Sequence, residues 1–356
     1  MKILHNISFR RFSASPLSAG EGLGVRFLLV CFLFLFACSD DLKKEGPIGN
    51  ILKNDCIKRS LGPNVAGLDM EFAYAMALPP SAGKLLSASV EASVAGDAET
   101  WMEHRSYNPD GFVIVGNQSE NNGARTTVSF TIDTCAATLR YYYRIPESAK
   151  GKQVSFTFSV AASNGETVSY PMGPYTIAKM DIKHALQVNA ADCFISLADM
   201  AVYDAAAAAA NPADIDLVYL FRRYGTWGIV FDHAFVSPAA DPRYLPAASP
   251  QYQPGGFTLP TGMNNSSRIR RTNELRDRQL YDIPGLPPTS LSGIYVDDID
   301  LETLIFTGMP NYAIDVRAEN GMWVETQNRK YRAFIYVNSV NDNGSAVISM
   351  KRLTMQ

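Results

Sequence analysis

The stretch QVSFTFSVAASNGETVSY, residues 153–170, decides the fold of this chain. Between Val154 and Val160, apolar and polar residues alternate with period two, which places the apolar side chains on one face of a β-strand. The polar segment after this strand contains Asn164 and Gly165, a strong hairpin signal because both residues tolerate positive φ. We therefore predict a β-hairpin here.

Other short strand-like segments lie between about residues 68 and 178. They are the loosely alternating Leu85–Ala95, the apolar Gly111–Gly116, the alternating Thr126–Ile132 and the aromatic-rich Leu139–Ile145. About six or seven short strands separated by turn signals are typical of an Ig-like β-sandwich. We predict this domain at residues 68–180.

The pattern changes near residues 179–183, after Met172-Gly173-Pro174 ends the hairpin, and we predict a second domain at residues 181–356. Its predicted strands are 194–197, 215–221, 228–231 and a closing meander at 322–326, 331–337 and 346–353. Its predicted helices are the alanine run 205–210, capped by Asp204, and a longer helix from about Ser267 to Leu280, capped by Asn265 or Ser266. The predicted fold is therefore mainly β, with an Ig-like β-sandwich followed by an α+β domain that has a mixed or antiparallel sheet and a C-terminal β-meander.

The stretch VCFLFLFACSDD, residues 30–41, indicates where the protein resides. The apolar run 27–37 follows Arg26 and is too short to span a bilayer, which needs roughly 20 apolar residues, so it is typical of a secretory signal peptide. The alternative is a buried core helix that contains a cysteine. Residues 1–24 form an unusually long polar preface, and we hypothesise that translation starts near Val25.

Residues 35–38, Leu-Phe-Ala-Cys, resemble a bacterial lipobox, although Phe36 departs from the small or hydroxyl residue often found there. The resemblance implies that Cys38 is acylated, with palmitate as one fatty acid, and becomes the mature first residue. Asp40 and Asp41 resemble the surface-export signal of Bacteroidetes lipoproteins. This implies a lipid-anchored outer-membrane protein at the cell surface; the alternative is an acidic linker on a periplasm-facing lipoprotein. The predicted segments are residues 1–37, the signal peptide, and residues 38–67, the lipidated N-terminus and linker.

Charge and cysteine content limit the class of partner. Of the 356 residues, the 319 from Cys38 onward carry 28 basic and 34 acidic side chains, a net charge of −6 against −3 for the whole chain. A mildly acidic surface argues against nucleic acid as the main partner because phosphate binding needs concentrated positive charge. Three further cysteines, Cys56, Cys135 and Cys193, are interpreted as small buried hydrophobic residues, with a Cys56–Cys135 disulfide as the alternative.

The second half of the chain resembles Bacteroidetes surface lipoproteins in which an Ig-like domain precedes an α+β domain of unknown function. The segments that carry this resemblance are Phe194–Leu197, Val202-Tyr203, Ala210-Asn211-Pro212, Ile215–Tyr219 and the closing Tyr331–Val337. The resemblance implies fold and location only, because it brings no site residues with it.

The sequence contains no recognised catalytic signature. It has no Gly-x-Ser-x-Gly, Walker or His-Glu-x-x-His motif, and His104, His184 and His233 lack metal-ligand spacing. We therefore predict a non-enzymatic protein that needs no cofactor.

Two charged segments have competing interpretations. Asp297, Asp298 and Asp300 are weak calcium candidates that lack the EF-hand spacing, and the alternative is that Asp300 caps a short helix. The arginines of the predicted helix suit a polyanionic glycan or lipid headgroup, or else form a solvated face with Glu274 and Asp277. They are Arg268, Arg270, Arg271, Arg276 and Arg278.

The glycine-flanked segment 222–228 is the best binding candidate in the sequence. Tyr224 and Trp227 can present apolar faces to a sugar ring, while Arg222 and Arg223 can donate hydrogen bonds; alternatively, Trp227 is a core residue.

The predicted function is a binding or adhesion module for a glycan or a partner protein. A broad apolar patch on one sheet would favour an accessory subunit of an outer-membrane assembly, and clustered carboxylates in a pocket would favour a hydrolase.

Overall fold

The fold is mainly β, as predicted, and its sheets are antiparallel. The computed structural model describes residues 51–108, 111–222, 231–245, 259–273, 275–281 and 293–355. The strands are β1 (Lys53–Lys58), β2 (Asp69–Ala77), β3 (Leu85–Ala92), β4 (Trp101–Met102), β5 (Arg105–Asn108), β6 (Gly111–Ile114), β7 (Glu120–Asn122), β8 (Arg125–Ser129), β9 (Ala136–Arg144), β10 (Gln153–Ala162), β11 (Thr167–Thr176), β12 (Asp181–Val188), β13 (Asp192–Ser196), β14 (Ala201–Asp204), β15 (Leu217–Arg222), β16 (Phe231–Val236), β17 (Arg268–Thr272), β18 (Tyr312–Ala313), β19 (Gly321–Glu325), β20 (Tyr331–Asn341) and β21 (Ser345–Thr354). The helices are α1 (Ala205–Ala210), α2 (Arg278–Tyr281) and α3 (Asp298–Thr303), with 3-10 turns at Pro80–Ala82, Glu147–Ala149 and Pro212–Asp214.

The first domain is a sandwich of two sheets, with strand orders β1-β2-β9-β4 and β11-β10-β3-β8-β7. Successive side chains on a strand point to opposite faces, so each strand contributes one face to a shared core. The ring of Phe72 in the first sheet lies 4.9 Å from that of Phe156 and 5.3 Å from that of Phe158 in the second, between centroids. All three rings are buried, and each stabilises the fold by about 1.5–3 kcal/mol.

The predicted hairpin is confirmed as β10 and β11. In its turn, the backbone of Gly165 has a positive φ of 86°, whereas the Asn164 side chain accepts a hydrogen bond from the N–H of Glu166 at 3.0 Å. The prediction that Met172-Gly173-Pro174 ends the hairpin is wrong. β11 continues through these residues because the opposite strand shifts its register between Val154 and Phe156.

The second domain packs two five-stranded sheets face to face, with orders β12-β21-β20-β19-β17 and β14-β13-β15-β16-β18. Phe194, Tyr219, Phe235 and Ile335 belong to the core between them. The closing meander is confirmed as β19, β20 and β21. β19 is buried along its whole length, because α2 and α3 contribute apolar side chains to a cluster on the other face of its sheet.

The helices of the second domain are shorter than predicted. The alanine helix is confirmed as α1, and the Asp204 carboxylate accepts a hydrogen bond from the N–H of Ala207 at 2.7 Å. The predicted helix from Ser267 to Leu280 is wrong, because β17 pairs with β19 and buries Ile269 between the two sheets, which leaves only α2 helical. Across the described ranges, no helix has the length and apolar character needed to cross a membrane.

A third apolar cluster joins the two domains. Val65 and Met180 pack there with Trp323 and with residues of α2 and α3. The Asp298 carboxylate accepts hydrogen bonds from the N–H groups of Lys179 at 2.6 Å and Met180 at 3.2 Å, which fixes the connecting segment against α3.

The cysteines Cys56, Cys135 and Cys193 are free thiols, so the alternative disulfide is not formed. Cys56 and Cys193 are buried, and this burial, with a smaller contribution from a neighbouring carboxylate, raises the pKa of each to about 12. Both therefore behave as small hydrophobic residues at neutral pH.

Candidate binding site

The outward face of β2 carries three alanines in a row, Ala73, Ala75 and Ala77, while large side chains alternate with them and enter the core. β2 lies between β1 and β9, in the middle of a sheet whose outer face meets solvent. Alanine is depleted in strands because it packs poorly against its neighbours. A row of alanines on an exposed central strand leaves a depression in the sheet.

This depression, here called the trough, has β1 on one side and β9 on the other. Ala75 lies opposite Asp55 of β1 and opposite Thr138 of β9. The β5–β6 hairpin forms a wall beyond β9, where Tyr107 and Val113 line the trough. The trough encloses about 600 Å³ and is open to solvent.

Buried Glu103 holds this hairpin in place. Its carboxylate accepts a hydrogen bond from the Tyr107 hydroxyl at 2.9 Å and forms an ion pair with Arg105. The bond to the carboxylate also raises the pKa of Tyr107. The Ser106 hydroxyl accepts a hydrogen bond from the N–H of Thr138 at 3.0 Å, which fastens β5 to β9.

Stacked planar groups continue along β9 from Tyr107, beyond the residues that line the cavity. The Arg140 guanidinium lies 4.5 Å from the centroid of the Tyr107 ring, and its hydrogen bond with Tyr142 raises the pKa of Arg140. The Trp101 and Tyr142 rings stack with centroids 4.7 Å apart and planes at 11°. Trp101 remains 40% exposed, so one flat face of the pair is available to a ligand.

The sequence-predicted binding segment is mostly outside the described residues. Arg222 ends β15, where its backbone pairs with Phe231, but Arg223, Tyr224 and Trp227 lie outside the described ranges. The same holds for the predicted lipidation residue Cys38. A binding role for this segment therefore stays a prediction.

The three acidic metal candidates have structural partners. The helix cap is Asp297, rather than Asp300 as predicted, and Asp297 and Asp300 form a reciprocal capping box at the start of α3. The correction follows from α3 beginning at Asp298, so that the side chain one position earlier meets the free N–H groups. Asp298 binds the interdomain segment instead.

Three arginines of residues 268–278 have separate partners rather than one common site. Arg271 donates to the backbone carbonyl of Asp315 at 3.2 Å, and Arg276 forms an ion pair with Glu319. Arg268 lies 3.9 Å from Glu325. Within the part of the chain that the structure describes, no group of three or more His, Cys, Asp or Glu side chains is placed to hold a metal ion.

A second, smaller cavity of about 210 Å³ contains the buried carboxyl group of Asp216. This group accepts hydrogen bonds from the N–H of Leu197 at 2.9 Å and from the Ser267 hydroxyl at 3.3 Å, and burial raises its pKa to about 6. Asn265, on the cavity wall, donates to the backbone carbonyls of Ala213 and Ile215. These polar groups bind other parts of the protein, so the cavity has a structural role.

Sequence reasoning missed the trough. The available signal was the run Phe72–Ala77, FAYAMA, in which large residues alternate with alanine alone. An exposed strand face normally carries larger polar or β-branched residues, so this repeat indicates a face that is shaped for contact.

Comparisons with known proteins place the chain among proteins of unknown function. A model described as "Domain of unknown function (DUF4466)" matches residues 49–177, and one described as "Domain of unknown function (DUF8576)" matches residues 178–355. The chain is similar to the crystal structure of a DUF4466 family protein from Parabacteroides merdae, with 40% identity and a TM-score of 0.73. This match covers 85% of the present chain and 99% of that chain.

Two pilins show a much weaker likeness. The major pilin subunit of Bacillus cereus has 10% identity and a TM-score of 0.26, over 52% of this chain and 53% of that chain. A 35 kDa C-terminal fragment of a major pilin of Streptococcus agalactiae has 11% identity and a TM-score of 0.26, over 43% of this chain and 66% of that chain. TM-scores of 0.26 support no conclusion about the fold or function of this chain. No match was found among curated proteins.

Proposed function

Since this chain belongs to the DUF4466 family, we propose that it is a non-enzymatic, lipid-anchored cell-surface protein that binds an extended ligand chain in the trough. The trough carries this proposal, because a depression floored by alanines continues into a row of stacked aromatic and guanidinium groups. An elongated open site of this kind suits a chain that passes through it better than an enclosed small molecule. The lack of common catalytic motifs in the sequence supports a binding role.

We further propose that the first domain is Ig-like. If β1, β2, β3, β4, β9, β10 and β11 are strands A to G, the first sheet reads A-B-E-D and the second reads G-F-C, with β8 and β7 added beside C. A-B-E-D and G-F-C are the strand orders of a constant-type Ig domain. The strands β5 to β8 are then an insertion between D and E. The wall of the trough therefore comes from an insertion into a common scaffold, where functional loops are usually found.

A second candidate function, an accessory subunit of a membrane assembly, is favoured by the apolar surface of the β5–β6 hairpin. Phe112, Val113 and Ile114 are each about half exposed. Exposed apolar side chains on a short ribbon are typical of protein contacts. Retention of a protein ligand instead of a polysaccharide would favour this candidate.

Replacing Trp101 by Ala should weaken ligand binding by about tenfold or more, because the stacked pair loses its exposed flat face. The assay is retention of the purified protein on beads that carry polysaccharides or gelatin. Ile305→Ala removes another exposed apolar side chain, far along the chain in the second domain, and is the control that should bind like wild type. Equal retention of wild type and Trp101→Ala on every bead would contradict the proposed site.

The proposed location rests on the lipobox-like residues 35–38 and on the two aspartates that follow them. We expect Cys38→Ala to release the protein from the membrane fraction, because a protein without acyl chains loses the hydrophobic burial that holds it to the bilayer. Fractionation of cells with immunodetection measures this release. If Cys38→Ala stays in the membrane fraction after a high-salt wash, lipid anchoring at this residue is wrong.

A further inference from the structure

The main chain of β2, which forms the floor of the trough, is fully engaged in the sheet. β2 is paired with β1 on one side and with β9 on the other. β9 is paired with β4 near Tyr142, and its Thr138 N–H donates to Ser106. A peptide that binds by adding a strand needs an unpaired edge, and the floor of the trough offers none. Recognition in the trough therefore depends on side chains.

The side chains along the trough are flat and rigid. Trp101 lies on Tyr142 with nearly parallel planes, and Arg140 lies over Tyr107. A sugar ring has faces of C–H groups that pack on an exposed aromatic plane, and its hydroxyls lie around the rim. The row of outward residues on β9, from Ala136 to Arg144, spans about 27 Å at roughly 3.4 Å per residue. This length suits an oligosaccharide of several units.

The positive and negative side chains beside these rings form ion pairs and are equal in number. Glu71 pairs with Arg59 at 2.7 Å and with Arg140 at 3.7 Å. Arg144 pairs with Asp69 at 3.0 Å and with Glu99 at 3.1 Å. At the start of the hairpin wall, Arg105 forms an ion pair with Glu103. These four arginines thus pair with four carboxylates. In the lining of the trough, Lys53 and Asp55 carry opposite charges, and Asp133 pairs with Lys84 at 2.7 Å. The charges around the trough therefore balance, with no surplus to attract a polyanion or a polycation.

From these observations we infer that the ligand is a neutral, linear carbohydrate chain, an inference that rests on the proposed function of the trough. Paired guanidinium and carboxylate groups can still form hydrogen bonds with such a ligand. Arginine N–H groups donate to sugar hydroxyls, and carboxylate oxygens accept from them, so a partly exposed ion pair such as Arg140 with Glu71 can bind adjacent hydroxyls without a net charge.

The test compares bead-bound polymers of different charge. The neutral set is a glucan, a xylan and a mannan; the acidic set is polygalacturonate and chondroitin sulfate; gelatin represents an unfolded polypeptide. We expect retention on at least one neutral polymer that survives about 0.5 M NaCl, because the contacts do not depend on unpaired charge. Retention on the acidic beads should be at least about tenfold lower.

The outcomes separate the two proposals. Retention that is confined to acidic beads and lost in salt, or confined to gelatin, overturns the neutral-carbohydrate inference; if Trp101→Ala weakens that retention, the proposed trough still stands. Retention on none of the beads contradicts both the inference and the proposed function.

Discussion

Replacing Asp277 by Ala should lower the free energy of unfolding by about 3–5 kcal/mol, since it leaves a buried ammonium group without its counter-charge. The Lys351 ammonium lies 2.7 Å from the Asp277 carboxylate, and both side chains are fully buried. Asp277 also accepts the N–H groups of Gln279 at 2.9 Å and Val296 at 2.8 Å, and so fastens α2 and the segment before α3 to the sheet. Burial lowers the pKa of Lys351. Urea unfolding followed by circular dichroism measures the effect.

The double variant Asp277→Ala with Lys351→Met is the matched control. Removing both charges leaves an apolar side chain in place of the buried ammonium, which is often nearly neutral for stability. We therefore expect the double variant to recover a large part of the loss caused by Asp277→Ala alone. If the double variant is as unstable as Asp277→Ala, the backbone hydrogen bonds of Asp277, rather than the ion pair, determine stability here.

Replacing Ala75 by Trp should reduce ligand binding at least roughly 100-fold, which corresponds to about 2.8 kcal/mol of binding free energy. Ala75 lies on the trough floor between Asp55 of β1 and Thr138 of β9, so an indole ring there occupies the space that a ligand chain needs. The fold should tolerate the change, because the side chain points outward and tryptophan is favoured in strands; we expect a change in stability of no more than about 1 kcal/mol. Binding is measured by calorimetric titration and stability by thermal unfolding.

Thr157→Trp is the control for this variant. Thr157 occupies an exposed outward position on β10, an interior strand of the opposite sheet, between Pro171 and Glu91. The Thr157→Trp variant carries the same ring on the other outer face of the sandwich, and it should bind the ligand like wild type. Equal losses in Ala75→Trp and Thr157→Trp would show that the effect does not come from filling the trough.

The strands that could be predicted are those whose own side chains define them. Val154 to Val160 alternates because one face is core, whereas β19 and the middle of β20 are continuous apolar runs because both of their faces are buried. The helix α1 was predictable because Asp204 and the alanines that it caps are adjacent. Each of these signals is local, so the sequence alone shows it.

The structural features that the sequence did not predict depend on residues far along the chain. The arginine-rich residues 268–272 are a strand because β19 pairs with them, and their own pattern did not indicate this. The trough similarly combines alanines of β2 with the β5–β6 hairpin, and ion pairs such as Arg59 to Glu71 and Arg140 to Glu71 lie beside it. The FAYAMA repeat was visible, but its flanking strands and the balance of charge required the tertiary structure.

A crystal structure of the protein with an oligosaccharide bound tests the central claim most directly. The oligosaccharide should be prepared from whichever neutral polymer retains the protein best. We predict one sugar ring on the exposed face of Trp101, with the following units lying over Ala73, Ala75 and Ala77. An oligosaccharide bound elsewhere on the protein, with the trough empty, would contradict the account.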